Sequence, residues 1–456
     1  MTEPYFRMLV AGLVVLAYSA LCLAIYLRER RRQTANANVA AALAGSGDQP
    51  PVLVSFASQT GQAESIAWQT ARALHSTGVP VRVMPLNDLD APTLVAAQRA
   101  LFVVSTYGEG DAPDSASLFA ERAMGKPMQL SMLRYAVLAL GDRQYAQFCG
   151  FGRALDEWLQ ASGAVASEPR IEVDNGDPAA LAQWHASWGG DRATAAASDD
   201  GPSAAFSPWQ LVRRELLNPG SQGGPVYHLG LRPPTGVEAI WQSGDLVQVA
   251  LASDPKRPRD YSIASIPEDG EVQLLVRQER HPDGTLGAAS GLLTSTLALG
   301  DSVALRVRPH RNFRLDGNLE RPLILIGNGT GLAGLRAHLR ARAAAHQHEN
   351  WLVFGERQAA HDYFCRDELD AWRASGMLQR LDMVFSRDRH EPTYVQHRLL
   401  QATDAFQAWL ARGAAVYVCG SLQGMASGVD AALRQIAGEA LVRELIRSGR
   451  YRRDVY

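Results

Sequence analysis

The feature that most restricts this fold is a change of rhythm along the chain. In two stretches short apolar strands alternate with helical segments, and between them strands follow one another through Gly/Pro turns. In the first stretch, apolar runs at 52–56, 81–84, 101–105, 135–140 and 170–173 are separated by helical lengths of chain. That is the pattern of a doubly wound parallel α/β sheet. Its first helix places Ala63, Ile66, Ala67, Thr70 and Leu74 on one face and stops at Gly78. From 206 onward, segments at 226–232, 245–251, 260–264, 271–278 and 301–307 are β-rich and turn-separated, which predicts an antiparallel barrel. From 321 the alternation returns, with strands at 323–326, 351–354, 381–385 and 416–418, a second nucleotide-type α/β domain. The expected units are therefore 51–188, 206–318 and 319–456, with linkers at 28–50 and 189–205. A length of 456 residues suits three of them, at roughly 150 residues each.

Ahead of the first linker, residues 8–27 contain no charge. As a helix they would span about 30 Å, the thickness of a hydrocarbon core. Arg28, Arg30, Arg31 and Arg32 follow while only Arg7 precedes, so the positive-inside bias predicts a single-pass anchor in a bacterial inner membrane with the bulk cytoplasmic. A secretory signal would put its basic cluster first. The 45 basic and 47 acidic residues nearly cancel, which argues against nucleic acid as a partner. Cys22, Cys149, Cys365 and Cys419 are far apart with no CxxC pair, which argues against a disulfide framework or a metal site.

In doubly wound sheets ligands bind at the carboxyl ends of the strands. The first strand runs into Ser58-Gln59-Thr60-Gly61 and a helix, where hydroxyls and amides converge on a positive helix end suited to phosphate. A plain helix N-cap uses the same residues. The third strand ends in Ser105-Thr106-Tyr107-Gly108-Glu109-Gly110-Asp111, and the fourth in Leu140-Gly141-Asp142, with Tyr145 and Phe148 just beyond. Aromatic faces stack on a flat conjugated ring and glycines let amides approach its polar edge, so the three loops together read as a flavin site. In the barrel, Arg259-Asp260-Tyr261-Ser262 offers a guanidinium, a ring and a hydroxyl, and Gly287-Ala288-Ala289-Ser290 offers backbone amides for a diphosphate. Residues 323–331 (LILIGNGTG) are a strand entering a glycine turn before a helix, the spacing of a dinucleotide site. Ser386-Arg387-Asp388 closes another strand with a cation and hydroxyl suited to a 2′-phosphate, or to a surface ion pair. The chain closes with a strand ending in Cys419-Gly420 and with the residues YRRDVY.

The segments SQTGQAES, STYGEGDAPDSA and LGDRQYAQFCGFG resemble the FMN domain of the diflavin reductases, a family that includes NADPH–haemoprotein reductases and the sulfite reductase flavoprotein subunit. The resemblance runs from Val52 to Tyr456 and is nearest to the sulfite reductase subunit, including the RDVY ending. It implies an NADPH-dependent flavoprotein reductase carrying electrons from NADPH through FAD to FMN and on to a one-electron acceptor protein containing haem or iron. It implies FMN contacts from Ser58, Gln59, Thr60, Gly61, Thr106, Tyr107, Gly108, Gly110, Gly141, Tyr145, Phe148 and Asp174, with Tyr107 and Tyr145 sandwiching the ring. For FAD it implies Arg259, Tyr261, Ser262, Gly287, Ala289, Ser290 and Tyr456, and for NADPH Gly329, Thr330, Ser386, Arg387, Tyr394 and Gln396. Ser262, Cys419, Asp454 and Tyr456 fall at the hydride-transfer position. Two alternatives stand beside this reading: a dedicated donor to a membrane haem or ferric-siderophore reductase, favoured by the anchor, and a flavin-binding redox sensor, which an intact hydride-transfer set disfavours.

The departures from the family are specific. Pro392 stands where a lysine for the 2′-phosphate is usual, and Asn328 and Gly334 replace prolines of the glycine turn. Only fourteen positions separate Asp245 from Arg259, where the family usually carries a large helical connecting insertion.

Overall fold

A computed structural model describes residues 50–58, 61–107, 110–143, 147–188, 205–234, 236, 240–255, 257–388 and 393–456. The first of its sheets contains β1 (Val52–Ala57), β2 (Val81–Pro85), β3 (Arg99–Ser105), β4 (Arg134–Gly141), β5 (Val165–Ala166) and β6 (Ile171–Asp174). All pairings are parallel, in the order β2-β1-β3-β4-β5 with β6 also beside β4. β5 and β6 are two pieces of one edge, split around Pro169, which has no N–H to give the ladder. β1 is buried along its whole length because helices cover both faces of the sheet. The helix Gln62–Ser76 buries the five positions that its spacing predicted, and Gly78 beyond it takes a left-handed φ of +84°.

The second sheet is antiparallel and holds β7 (Ser207–Leu216), β8 (Val226–Arg232), β9 (Leu246–Val249), β10 (Arg259–Ser262), β11 (Val272–Arg277) and β12 (Ser302–Arg308). Its order is β10-β9-β12-β7-β8-β11, and a bridge from Ile263 to Leu274 joins the two ends into a barrel. β7 is absent from the sequence reading: only Trp209 and Leu211 are buried along it, so it has no apolar run to betray it. The third sheet, again parallel, runs β15-β14-β13-β16-β17, built from β13 (Leu323–Asn328), β14 (Asn350–Glu356), β15 (Arg380–Phe385), β16 (Ala415–Gly420) and β17 (Tyr451–Val455). Tyr451–Val455 are thus an edge strand of this sheet.

The barrel and the third sheet share one apolar core, in which Val226, Ala264 and Leu275 pack with Leu335, Phe354 and Tyr417. Arg336, 5% exposed, crosses that boundary, donating to the Ala264 carbonyl at 2.5 Å, the Gln273 side chain at 2.8 Å and Glu368 at 2.5 and 3.0 Å. Among the described residues the first unit meets the other two through Tyr107, which packs into the apolar cluster of the third sheet, and through polar contacts. Asp174 pairs with Arg257 at 3.0 Å, Asp114 with Arg453 and Glu121 with Arg443, and Asn312 donates to the Ser58 carbonyl at 2.7 Å.

The expected anchor, residues 8–27, lies outside the described residues, as do both expected linkers apart from their last residues, Pro50 and Ala205. Among the described residues no helix is long and apolar enough to cross a membrane. The expected placement as a single-pass membrane protein is corrected on that ground.

Candidate active site

The three units meet around a cavity of about 490 Å³. Its first wall is made by the ends of β3 and β4 and the loop after β6: Ser105, Thr106, Tyr107, Gly141, Asp142, Asn175 and Gly176. The Thr106 hydroxyl is buried without a hydrogen-bond partner, so it is a polar group awaiting a ligand. Gly141 is needed for packing, since a Cβ there would stand 2.7 Å from the Cys149 amide. Gly110 holds φ +125°, and a Cβ would meet Gln147 at 2.8 Å. At the foot of β1, Ser58 is buried with its hydroxyl accepting from the Ala63 amide at 3.2 Å, and Gly61 takes φ +91° to open the following helix. Gln59, Thr60, Gly108 and Tyr145 lie outside the described residues.

Three expected residues on this wall have other company. Phe148 is buried in the first unit's core under the Arg143 guanidinium, 4.4 Å from the ring centre, and does not line the cavity. Asp174 accepts from the Arg143 amide at 3.1 Å and pairs with Arg257. Tyr107 lines the cavity, yet its hydroxyl accepts from the Val455 amide at 2.7 Å, between Asp454 and Tyr456. The loop expected to face a flavin ring therefore also grips β17.

The opposite wall holds Arg259, Tyr261, Ser262 and Ser290. Arg259 is steadied by the Arg257 carbonyl at 2.6 Å, and the Ser290 hydroxyl accepts from the Glu279 amide at 3.1 Å. Gly287 and Ala289 lie behind this surface, where a Cβ on Gly287 would meet the Ser290 hydroxyl at 2.8 Å.

At the floor the expected hydride-transfer residues come together. Parallel register sets Cys419 in β16 beside Asp454 in β17. The Ser262 hydroxyl, arriving from the barrel, donates to Asp454 Oδ2 at 2.8 Å, and the Cys419 thiol donates to the same oxygen at 3.7 Å. Burial, with the Asp454 carboxylate adding to it, pushes the Cys419 thiol far up, so it stays protonated. Tyr456 is anchored by its amide to the Gly420 carbonyl at 3.0 Å and meets the Thr330 hydroxyl at 3.1 Å. It lines this cavity and also a second one of about 710 Å³.

That second cavity lies at the carboxyl ends of β13, β14 and β15, and gathers Gly329, Thr330, Ser386, Arg387, Tyr394 and Gln396. The glycine turn permits close approach of backbone: a Cβ on Gly331 would stand 2.2 Å from the Cys419 carbonyl. Both departures in the turn have local reasons. Asn328 accepts from the Ser421 amide at 2.9 Å, tying β13 to the end of β16, and a side chain at Gly334 would crowd Phe313 at 3.0 Å. Gln396 has a buried carbonyl oxygen without a partner, a second polar atom suited to a ligand. Pro392 lies outside the described residues.

Among the lining residues that escaped the sequence reading are Arg277, Arg357 and His310. Arg277 lines both cavities and pairs at 2.8 Å with Glu356, whose carboxyl is raised by burial. Arg357 follows β14 directly, so the strand-end rule, applied to that strand, points to it.

Residues 54–188 match the family described as Flavodoxin, and residues 325–431 match that described as Oxidoreductase NAD-binding domain. Similar proteins include the sulfite reductase [NADPH] flavoprotein alpha-component of Vibrio cholerae serotype O1 strain El Tor Inaba N16961, 28% identical with 92% of this chain and 90% of that one covered. The component of the same name from Bacillus subtilis strain 168 is 27% identical over 93% of each chain, and that from Shewanella sp. strain MR-7 is 29% identical over 89% of each. The Vibrio alignment runs to 553 positions against 456 residues, so a long stretch of the relative faces no residue here. Two parallel α/β units around a barrel, with polar groups converging between them, define an NADPH-dependent flavoprotein oxidoreductase that uses FMN, FAD and NADPH. The chain belongs to the diflavin reductase family.

Proposed function

We propose that the chain, like the sulfite reductase [NADPH] flavoprotein components it is similar to, takes its electrons from NADPH, and that it delivers them singly, through FAD and then FMN, to a haem- or iron-containing acceptor protein. The observation that carries this reading is the common cavity, onto which the ends of β3 and β4, the Arg259–Ser262 strand and the Ser262–Asp454 pair, backed by the buried Cys419, all open. When bound, the flavins supply the conversion from paired to single electrons. The protein's part is position and charge. Thr106, Gly141 and the Ser58–Gly61 turn hold FMN, and Arg259, Tyr261 and Ser290 hold FAD. Thr330, Ser386, Arg387, Tyr394 and Gln396 hold NADPH. With Pro392 in place of a lysine, Ser386 and Arg387 carry the 2′-phosphate, which predicts preference for NADPH with residual use of NADH. Asp454 places a negative charge beside the point where the nicotinamide ring becomes positive, Ser262 holds that carboxylate in place, and the protonated Cys419 packs behind it. Tyr456, standing between the two cavities, covers the face that nicotinamide must reach and has to move aside.

The test is reduction of cytochrome c by the purified flavin-loaded protein with NADPH and with NADH. Reduction with NADPH faster than with NADH is expected. A protein that binds both flavins and reduces nothing would refute the reading. Deleting Tyr456 is expected to tighten coenzyme binding and relax the NADPH preference, and unchanged affinity and preference would remove that residue from the mechanism.

A further inference from the structure

His310 is only 2% exposed, lines the cavity beside Asp454, and has no hydrogen-bond partner for either ring nitrogen. Leaving a buried polar group unpaired is costly, so an imidazole kept in that state calls for a reason. Its Nδ1 stands 3.8 Å from Asp454 Oδ1, a gap that a small rotation of the ring closes. The division of labour on the carboxylate is sharp: Oδ2 receives Ser262 and Cys419, and Oδ1 faces His310. The imidazole is also held. Its peptide amide donates to Asp245 Oδ1 at 2.9 Å, and Asp245 is clamped by Arg314 at 2.7 and 2.8 Å. Its ring stacks on Phe313 with centres 6.0 Å apart and planes 24° apart. Nothing in the Ser262, Cys419 or Tyr456 assignments requires a histidine at this point.

We propose that His310 is a positioning residue for hydride transfer: as a neutral imidazole protonated at Nδ1 it donates to Asp454 Oδ1, keeping that carboxylate turned toward Ser262. The inference rests on the functional reading above and adds a residue that the reading does not contain. Neutrality follows from burial, which holds the imidazole below its ordinary range against the opposing pull of Asp454. The other charged groups that face it are Arg308 on β12, Asp245 ahead of β9 and Asp260 on β10, with the buried His338 beyond Phe313. Arg308 disfavours a second proton on the ring and the two carboxylates favour one, so the resting state reflects desolvation above all.

The test uses the flavin-loaded full chain. Anaerobic stopped-flow flavin reduction by NADPH is measured against pH for the wild type, His310→Leu and His310→Asn. Histidine-selective ¹⁵N NMR reads the tautomer in the wild type and in Asp454→Asn, with the resonance assigned from the His310→Asn spectrum. Without the Nδ1 donor Asp454 loses the partner on Oδ1 that keeps it turned toward Ser262. The rate in His310→Leu should therefore fall roughly ten- to a hundredfold across the pH range, with coenzyme KM little changed. His310→Asn, whose amide can donate from a similar place, should recover most of that loss. The NMR signal should report Nδ1–H in the wild type and lose that preference in Asp454→Asn. An unchanged rate in His310→Leu, equal losses in both variants, or a wild-type Nε2–H tautomer would each overturn the proposal. If His310→Leu does not fold, the wild-type tautomer and His310→Asn decide it. A wild type that fails to reduce its flavins with NADPH refutes the functional reading instead, and the tautomer then still tests the His310–Asp454 contact.

Discussion

The two inter-unit boundaries of this molecule are built differently. Between barrel and third sheet the apolar core is continuous, and the buried Arg336 is neutralised by Glu368 and satisfied by a carbonyl and an amide. Between the first unit and the rest, among the described residues, lie ion pairs, the Asn312–Ser58 hydrogen bond and Tyr107, which packs into the apolar cluster of the third sheet. The first boundary cannot open without exposing core. The second is held mainly by polar groups and would expose less apolar surface on opening, as would suit the proposed passage of electrons to an outside acceptor.

Arg336→Leu should have the largest effect. It leaves the Ala264 carbonyl without its donor and takes from Glu368 and the Gln273 side-chain oxygen one of two partners each, Arg340 and His228 remaining, and removing one partner of a buried pair costs up to about 3–5 kcal/mol. Denaturant unfolding should show this in the transition of the barrel–third-sheet pair and leave the flavodoxin-like unit unmoved, and equal shifts in both would dissolve the distinction.

Acid should act on the same boundary. His228, bonded to Gln273 at 3.1 Å, is pushed down to about 4, first by burial and then by Arg213 and Arg336. The unfolded chain binds the proton near 6.5, so between about 6.5 and 4 unfolding takes up a proton and stability falls as pH falls, by roughly 3 kcal/mol in full. His228→Gln, which keeps a polar side chain but cannot titrate, should flatten that part of the stability–pH curve.

The weaker boundary should respond through electron delivery. Asp114→Asn leaves Arg453 without its carboxylate and should lower cytochrome c reduction roughly three- to tenfold. Flavin reduction by NADPH should stay unchanged, and a parallel loss in both would mean that Asp114 acts on the hydride site. Smallest of all, Glu121→Gln breaks an exposed pair with Arg443 and should change cytochrome c reduction by less than about twofold.

Much of the first and third sheets was legible because their strands are continuous apolar runs ending in turns that only particular residues can make. Gly327 to Gly331 shows this best: Gly327 and Gly331 are demanded by contact with the Cys419 carbonyl of β16 as much as by a ligand, and Gly329 by its φ of +59°. The strands β7 and β17 were not legible, since their membership depends on a partner's backbone and not on their own pattern. The docking contacts were invisible for a related reason. Tyr107 and Val455, or Asp114 and Arg453, are separated by hundreds of residues and belong to no repeating pattern. The site was readable where a local motif builds it, as at Arg259–Ser262, and silent at His310, which sits between Pro309 and Arg311 with no motif around it. The short connection before Arg259 was legible as a missing insertion, but only the fold shows that Arg257 within it holds Asp174 of the first unit.

β17 lies at the margin of its sheet, and the Tyr107 hydroxyl is what occupies the Val455 amide there. A departure of the first unit would bare that amide on an edge strand, the kind of group that templates a strand from another molecule. Arg452 and Arg453 on that same strand are charges of the sort that discourage such pairing. Colloidal behaviour and electron delivery would then be linked, with conditions that open the molecule favouring association of copies.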